Sequence, residues 1–104
     1  MKWAEVIMVR AAPSSLRVLN TALEDLMDQT AMVQEHEAIL LFCRENLDSD
    51  LCVVLFHSKK RAGPGASPLG LHLAAAFKEV GLVSHTIWNQ IKAWGKAPNL
   101  DAPD

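Results

Sequence analysis

The groups in this chain that could do chemistry are four histidines and a few basic and hydroxyl side chains. Arg10, His57 and His85 each stand at or near the end of a predicted strand, and Ser67 opens a predicted helix. A guanidinium, two imidazoles and the free N–H groups of a helix start would suit a carboxylate or phosphate ligand. A histidine also needs little tuning to act as a general base near neutral pH. We therefore take His57 and His85 as candidate catalytic residues, and Arg10 and Ser67 as candidate ligand-binding residues.

His57 and His85 also have a purely structural explanation, because a histidine at a strand end is commonly a solvated or hydrogen-bonded boundary residue. His72, one turn into the same helix, is a further candidate for ligand binding or a residue of the solvated helix side. Trp3 and Trp88 fall at the same end of two neighbouring predicted strands, where they could pack together or close a pocket. Trp88 therefore completes the set of candidate ligand-binding residues.

Two other clusters carry weaker signals. His36 lies between Glu35 and Glu37, but a catalytic zinc needs three convergent ligands, and we predict neither a metal nor a cofactor. The basic run 59–61 suggests phosphate binding or a solvated loop tip. An anion sensor built from this run and Arg10 is the third and weakest functional hypothesis.

Composition sets the class of protein. The chain has 104 residues, half of them apolar, and a formal net charge of −2, which favours one globular domain and neither a nucleic-acid nor a membrane partner. Apolar runs stay far below the roughly 20 residues that span a bilayer. Glu5 interrupts the start of the chain, which argues against an export signal and for a cytoplasmic protein. Cys43 and Cys52 are expected to be reduced core residues, with a cross-strand disulfide as the alternative.

The elements that position these groups centre on two apolar runs, Ala38–Cys43 and Leu51–Phe56. As strands, both runs place large apolar side chains on both faces, whereas an exposed hairpin normally alternates apolar with polar residues. A strand over Lys2–Arg10 and a helix capped by Ser14 or Ser15 precede them. A helix starting at Ser67-Pro68 and a strand over Leu82–Trp88 follow them.

This order predicts an α+β, ferredoxin-like βαββαβ domain with a four-stranded antiparallel sheet over residues 1–94, followed by a flexible tail at 95–104. The segment Gln29–Glu37 either extends the first helix or forms a short second turn. We expect the first and third strands to be central, parallel neighbours, with the second and fourth at the edges. Arg10, His57 and His85 would then meet at one end of the sheet, beside the loop Ser58–Ser67.

Both helices must cover the same sheet face, so the other apolar face needs a different cover. Stacking two such sheets through a two-fold axis is the commonest solution. The sequence therefore predicts a homodimer joined through this face.

Size, element order and the two-sided sheet resemble the dimeric α+β barrel proteins, and in particular the antibiotic biosynthesis monooxygenases. The closest local likeness lies in 41–44, the acidic turn 48–50 and the run Leu51–His57, with His72 in the place of a histidine in the early turns of that family's helix. The family's third strand commonly ends in Glu and Trp, where this chain has Phe56 and His57. The resemblance implies the barrel fold; cofactor-free oxygenation, haem degradation and small-molecule binding all occur on such barrels.

Two functional hypotheses from different classes lead. The first is a small homodimer that binds a small organic ligand, with or without turnover, in a cavity between helices and sheet or inside the barrel. The second is a non-enzymatic structural or regulatory module whose apolar sheet face only joins protomers.

Overall fold

The structure is a computed structural model that describes residues 2–29, 38–59, 61 and 63–95. Its elements follow the predicted order: β1 (Trp3–Arg10), α1 (Pro13–Gln29), β2 (Ala38–Arg44), β3 (Leu47–His57), α2 (Pro68–Lys78) and β4 (Leu82–Asn89). The segment 30–37 and most of the predicted tail, residues 96–104, lie outside the described residues. The ferredoxin-like α+β fold class is confirmed.

The four strands form one sheet in the order β2-β3-β1-β4, and all three pairings are antiparallel. The prediction that β1 and β3 run parallel is therefore wrong. A tight turn at Glu45 and Asn46 joins β2 to an antiparallel β3, and Asn46 adopts a left-handed φ of 64° that suits such a turn. Because the right-handed crossover through α1 makes β1 parallel to β2, β3 must oppose both strands.

The register assigns each strand residue to one of two faces. On the helix-covered face, the rows across the sheet are Ile39–Leu55–Glu5–Ile87, Leu41–Val53–Ile7–His85 and Cys43–Leu51–Val9–Val83. On the other, the rows are Ala38–Phe56–Ala4–Trp88, Leu40–Val54–Val6–Thr86 and Phe42–Cys52–Met8–Ser84. We call this second surface the open face. The two-sided apolar pattern of β2 and β3 is thus present as predicted.

The hydrophobic core lies between the covered face and the two helices. Both helices pack on the same side, α1 against β3 and α2 against β1 and β4. The α1 residues in the core recur at helical spacing, at Leu16, Leu19 and Leu23. Helix α1 begins with Pro13, a residue whose fixed φ suits the first helical position, so Ser14 and Ser15 lie inside its first turn rather than capping it.

The open face contacts neither helix in the described part of the chain. On this face Phe42 is 50 % exposed, Trp88 62 % and Met8 43 %, whereas the other apolar side chains of the two central strands are half-buried. Cys52 lies on this face, where burial raises the pKa of its thiol. Cys43 lies on the opposite face, and both thiols are free; Cys43 is exposed at the sheet edge rather than in the core as predicted. No helix among the described residues is long and apolar enough to cross a membrane.

Candidate functional site

A fully buried carboxylate lies at the centre of the covered face. Glu5 is 0 % exposed and occupies an inward position of β1 between Leu55 of β3 and Ile87 of β4. An ionised carboxylate in such surroundings is costly unless hydrogen-bond donors surround it. Glu5 therefore marks the point of the core where polar groups must converge.

Four hydrogen bonds converge on this carboxylate. Nε2 of His57 lies 2.7 Å from Oε2, and Nε2 of His85 lies 2.9 Å from Oε1. The backbone N–H of Ser67 donates to Oε1 at 3.1 Å, and the Ser67 hydroxyl donates a short hydrogen bond to Oε2. The cluster thus links β1, β3, β4 and the start of α2.

The geometry determines what each partner of the cluster can do. An ionised carboxylate only accepts hydrogen bonds, so with Glu5 ionised both histidines carry a proton on Nε2. The Ser67 hydroxyl donates to Glu5 and accepts from the N–H of Gly70, which is the N-cap bond of α2. The Ser67 hydroxyl therefore both caps α2 and holds the carboxylate of Glu5.

The backbone of α2 approaches Glu5 closely at Gly70. A Cβ at this position would lie 2.1 Å from Oε1 of Glu5. The absence of a side chain lets the first turn of the helix rest on the carboxylate, which faces the positive end of the helix dipole. Glycine is required here for space rather than for its conformational freedom.

An aromatic layer covers His57 on the side of the loop that leads to α2. The Trp3 and His57 rings stack with centroids 3.9 Å apart and an interplanar angle of 16°. Trp3 donates from Nε1 to the carbonyl of Lys59 at 3.0 Å, and the Arg61 guanidinium lies 5.2 Å over the Trp3 ring. This layer holds the loop against the sheet and leaves His57 buried.

The structure brings together three of the six predicted site residues, His57, His85 and Ser67. The group that joins them, Glu5, was not among the predicted site residues. A signal was present: in the alternating strand the inward positions are Trp3, Glu5, Ile7 and Val9, and a carboxylate among inward apolar residues needs buried partners.

Arg10 lies apart from this cluster, contrary to the prediction. It pairs in register with Asp50 and Leu82, whereas His57 pairs with Trp3, about 23 Å away along β1. Nε of Arg10 lies 2.8 Å from Oδ1 of Asp50, and Nη1 of Arg44 lies 3.1 Å from Oδ2. The hydrogen bond from Arg10 holds the pKa of Asp50 well below its usual range. The wrong direction assigned to β3 produced the wrong grouping.

The two remaining candidates also lie outside the cluster. His72 is exposed on α2. Trp88 lies on the open face, where its Nε1 donates to Oγ1 of Thr86 at 2.9 Å. Trp3 and Trp88 do share one end of the sheet, but they point to opposite faces and do not pack together.

A separate apolar cavity of about 490 Å³ opens between α1 and the β2 side of the sheet. Helix α1 contributes one wall, and the inward positions of β2 and β3 contribute the other. The lining residues are Asn20, Leu23, Glu24, Met27, Ile39, Leu41 and Val53. Its volume falls within the range of small-molecule sites, which combine apolar walls with a few polar groups.

The strand order and the two helices on one face define a small α+β protein of the ferredoxin-like class. A similar solved structure is that of Rv0793 from Mycobacterium tuberculosis, with a TM-score of 0.64. The two chains share 14 % sequence identity, and the alignment covers 91 % of this chain and 100 % of the other. At this identity the likeness shows the fold alone.

No family model matches this chain, and no curated protein matches it significantly. The features of this chain that bear on function are therefore the cavity, the cluster around Glu5 and the open face.

Proposed function

We propose that this chain forms a homodimer through its open face and binds a small organic ligand in the cavity beneath α1. The observation that carries the ligand-binding part is the cavity itself, with its apolar walls and two polar side chains. Apolar surface that faces a cavity has no packing partner, and a ligand of matching shape supplies those contacts. Binding then stabilises the folded chain by mass action.

A matched pair of tryptophan variants tests the cavity. Met27→Trp places a large ring in the cavity, whereas Val18→Trp places the same ring on the exposed side of the same helix. A panel of small organic ligands screened by thermal shift should raise the melting temperature of the wild type and of Val18→Trp. Met27→Trp should lose the response. A panel without any ligand-dependent rise, or a response that persists in Met27→Trp, would contradict binding at this site.

The area of the open face is one observation that bears on dimerisation. Four strands at about 4.8 Å spacing and about 26 Å length give a face of roughly 500 Å². A standard interface hides about 800 Å² per partner. The face alone is therefore smaller than a standard interface; Ile91 and Trp94, which follow β4 and are 97 % and 78 % exposed, are further apolar surface available to a partner.

A second copy of the chain is the occupant that best fits this surface. The central rows hold Val6, Val54, Cys52 and Met8 and contain no charged residue. Arg10, Asp50 and Arg44 lie together at one end and satisfy each other. A two-fold axis through the central rows would pair apolar residues with apolar residues and leave this ion-paired end at the rim.

Monooxygenase activity is one of several activities found on barrels of this type, and a fold does not determine an activity. Neither His57 nor His85 lines the cavity, and Nε2 of each ring is engaged by Glu5. Catalytic roles for these histidines therefore stay a prediction, and our proposal is limited to binding.

A non-enzymatic interaction module is the second candidate, favoured by the extent of exposed apolar surface on the open face. This candidate predicts dimerisation without any ligand response. The two candidates therefore separate in the tryptophan experiment, whereas both require the dimer.

A further inference from the structure

The polar side chains of the cavity lie on one stripe of α1. Asn20, Leu23, Glu24 and Met27 follow the i, i+3, i+4, i+7 spacing of a single helix face. Leu23 is buried and packs in the core, whereas Glu24 is exposed. The cavity therefore has an apolar interior and a carboxylate at its solvent-facing side.

This carboxylate is not engaged by any described residue through a hydrogen bond or an ion pair. Asp25 follows it in sequence, and the last turn of α1 carries no basic residue. Glu24 and its neighbour Asp25 have the same charge, so this side of the cavity favours a cation.

We propose that the ligand of this cavity is an organic cation, with a hydrocarbon body against the apolar walls and an ammonium group near Glu24. This inference rests on the proposed function, since it specifies the ligand of the same site. A carboxylate ligand would face Glu24 with like charge, and a neutral ligand would gain nothing from the field. An ammonium group gains an ion pair and remains partly hydrated at the mouth, which avoids the cost of burying a charge.

The expected preference for a cationic over a neutral ligand is modest because Glu24 is exposed. Surface ion pairs contribute little in water, so we expect an amine to bind about fivefold more tightly than the matched alcohol. The corresponding carboxylate should bind more weakly than the alcohol. Because the pair is solvent-exposed, added salt should reduce the preference.

Three probes with the same hydrocarbon chain test the inference: octylamine, octanol and octanoate, each titrated calorimetrically at low salt. The wild type should rank them in that order. Glu24→Gln should bring the affinity for octylamine close to that for octanol. Asp25→Asn is the matched control, since Asp25 is exposed on the same helix and does not line the cavity; it should largely retain the preference.

The outcomes distinguish a failure of the cation inference from a failure of the binding site. Equal affinities for the three probes, or an amine preference that survives Glu24→Gln, would overturn the cation inference while ligand binding stands. Absence of binding by all three, or binding that persists in Met27→Trp, would overturn the site itself.

Discussion

The carboxylate of Glu5 on β1 lies 2.7 Å from Nε2 of His57 on β3, and neither side chain is exposed by more than a few per cent. With His85 and Ser67 also bound to Glu5, one buried side chain connects three strands and the start of α2. The connection is made of directional bonds, so it specifies how α2 sits on the sheet as well as stabilising it.

Replacing Glu5 should destabilise the fold strongly. Glu5→Ala removes the common acceptor of four hydrogen bonds, one of them from the buried His57, and breaking a buried pair of this kind costs about 3–5 kcal/mol. Glu5→Gln keeps the shape but turns an NH₂ group toward a donor, with an expected loss of about 1–3 kcal/mol. Urea unfolding of both variants measures these losses in the free energy of unfolding.

The matched control for this prediction is Glu79→Gln, at an exposed carboxylate after α2. It should change the free energy of unfolding by less than about 0.5 kcal/mol. A Glu5→Gln variant as stable as the wild type would show that the cluster contributes no net stability.

Gly70→Ala should destabilise the protein, although alanine is the better helix former. Its Cβ would meet Oε1 of Glu5 at 2.1 Å, and the carboxylate cannot move away without losing hydrogen bonds. Alanine normally stabilises a helix interior by about 1 kcal/mol relative to glycine. A decrease of about 1–3 kcal/mol in the free energy of unfolding would therefore be due to the clash. Thermal unfolding measures it.

Gly63→Ala provides the comparison for Gly70→Ala, because a Cβ at Gly63 meets nothing within 4 Å. It should leave the melting temperature nearly unchanged. The double variant Glu5→Ala, Gly70→Ala should be more stable than the sum of the two losses implies, since the clash has been removed. Full additivity would argue that Gly70 and Glu5 do not interact.

Asp50 should make stability depend on pH in the acid range. Its pKa is lowered in the folded state by Arg10, so its contribution is present above the ordinary aspartate pKa near 4. The contribution is lost as the pH falls through the lower folded pKa. Asp50→Asn should therefore be less stable than the wild type at neutral pH, and the difference should shrink in acid.

Unfolding curves from neutral pH down to the acid range measure this difference for Asp50→Asn. Asp25→Asn, at an exposed carboxylate on α1, is the matched control for the loss of one negative charge. A destabilisation by Asp50→Asn that stays constant into acid would contradict the ion-pair explanation.

The sequence was enough to predict the helices and strands, but not the direction of every strand relative to its neighbours. The lack of apolar–polar alternation in β2 and β3 predicted two apolar faces, and the Ser67-Pro68 pair predicted the start of α2. Residue types also identified His57, His85 and Ser67 as candidates. The direction of β3 was wrong, because the crossover rule relates β1 to β2 and not to β3, and Arg10 was misplaced as a result.

Two other features depend on three-dimensional contacts that local patterns do not encode. Glu5 acquires its role from groups 52 to 80 residues away in sequence. The cavity arises where α1 and β2 fail to fill the space between them, and side-chain periodicity alone does not show such a gap.

Sedimentation equilibrium over a wide range of protein concentration tests the central claim, that a second copy covers the open face. The wild type should be a dimer, and Val54→Lys, with a charge in the central row of that face, should shift to monomer. Val18→Lys, on the exposed side of α1, should remain dimeric. A wild type that stays monomeric at high concentration, or a Val54→Lys variant that is folded and as dimeric as the wild type, would contradict the account.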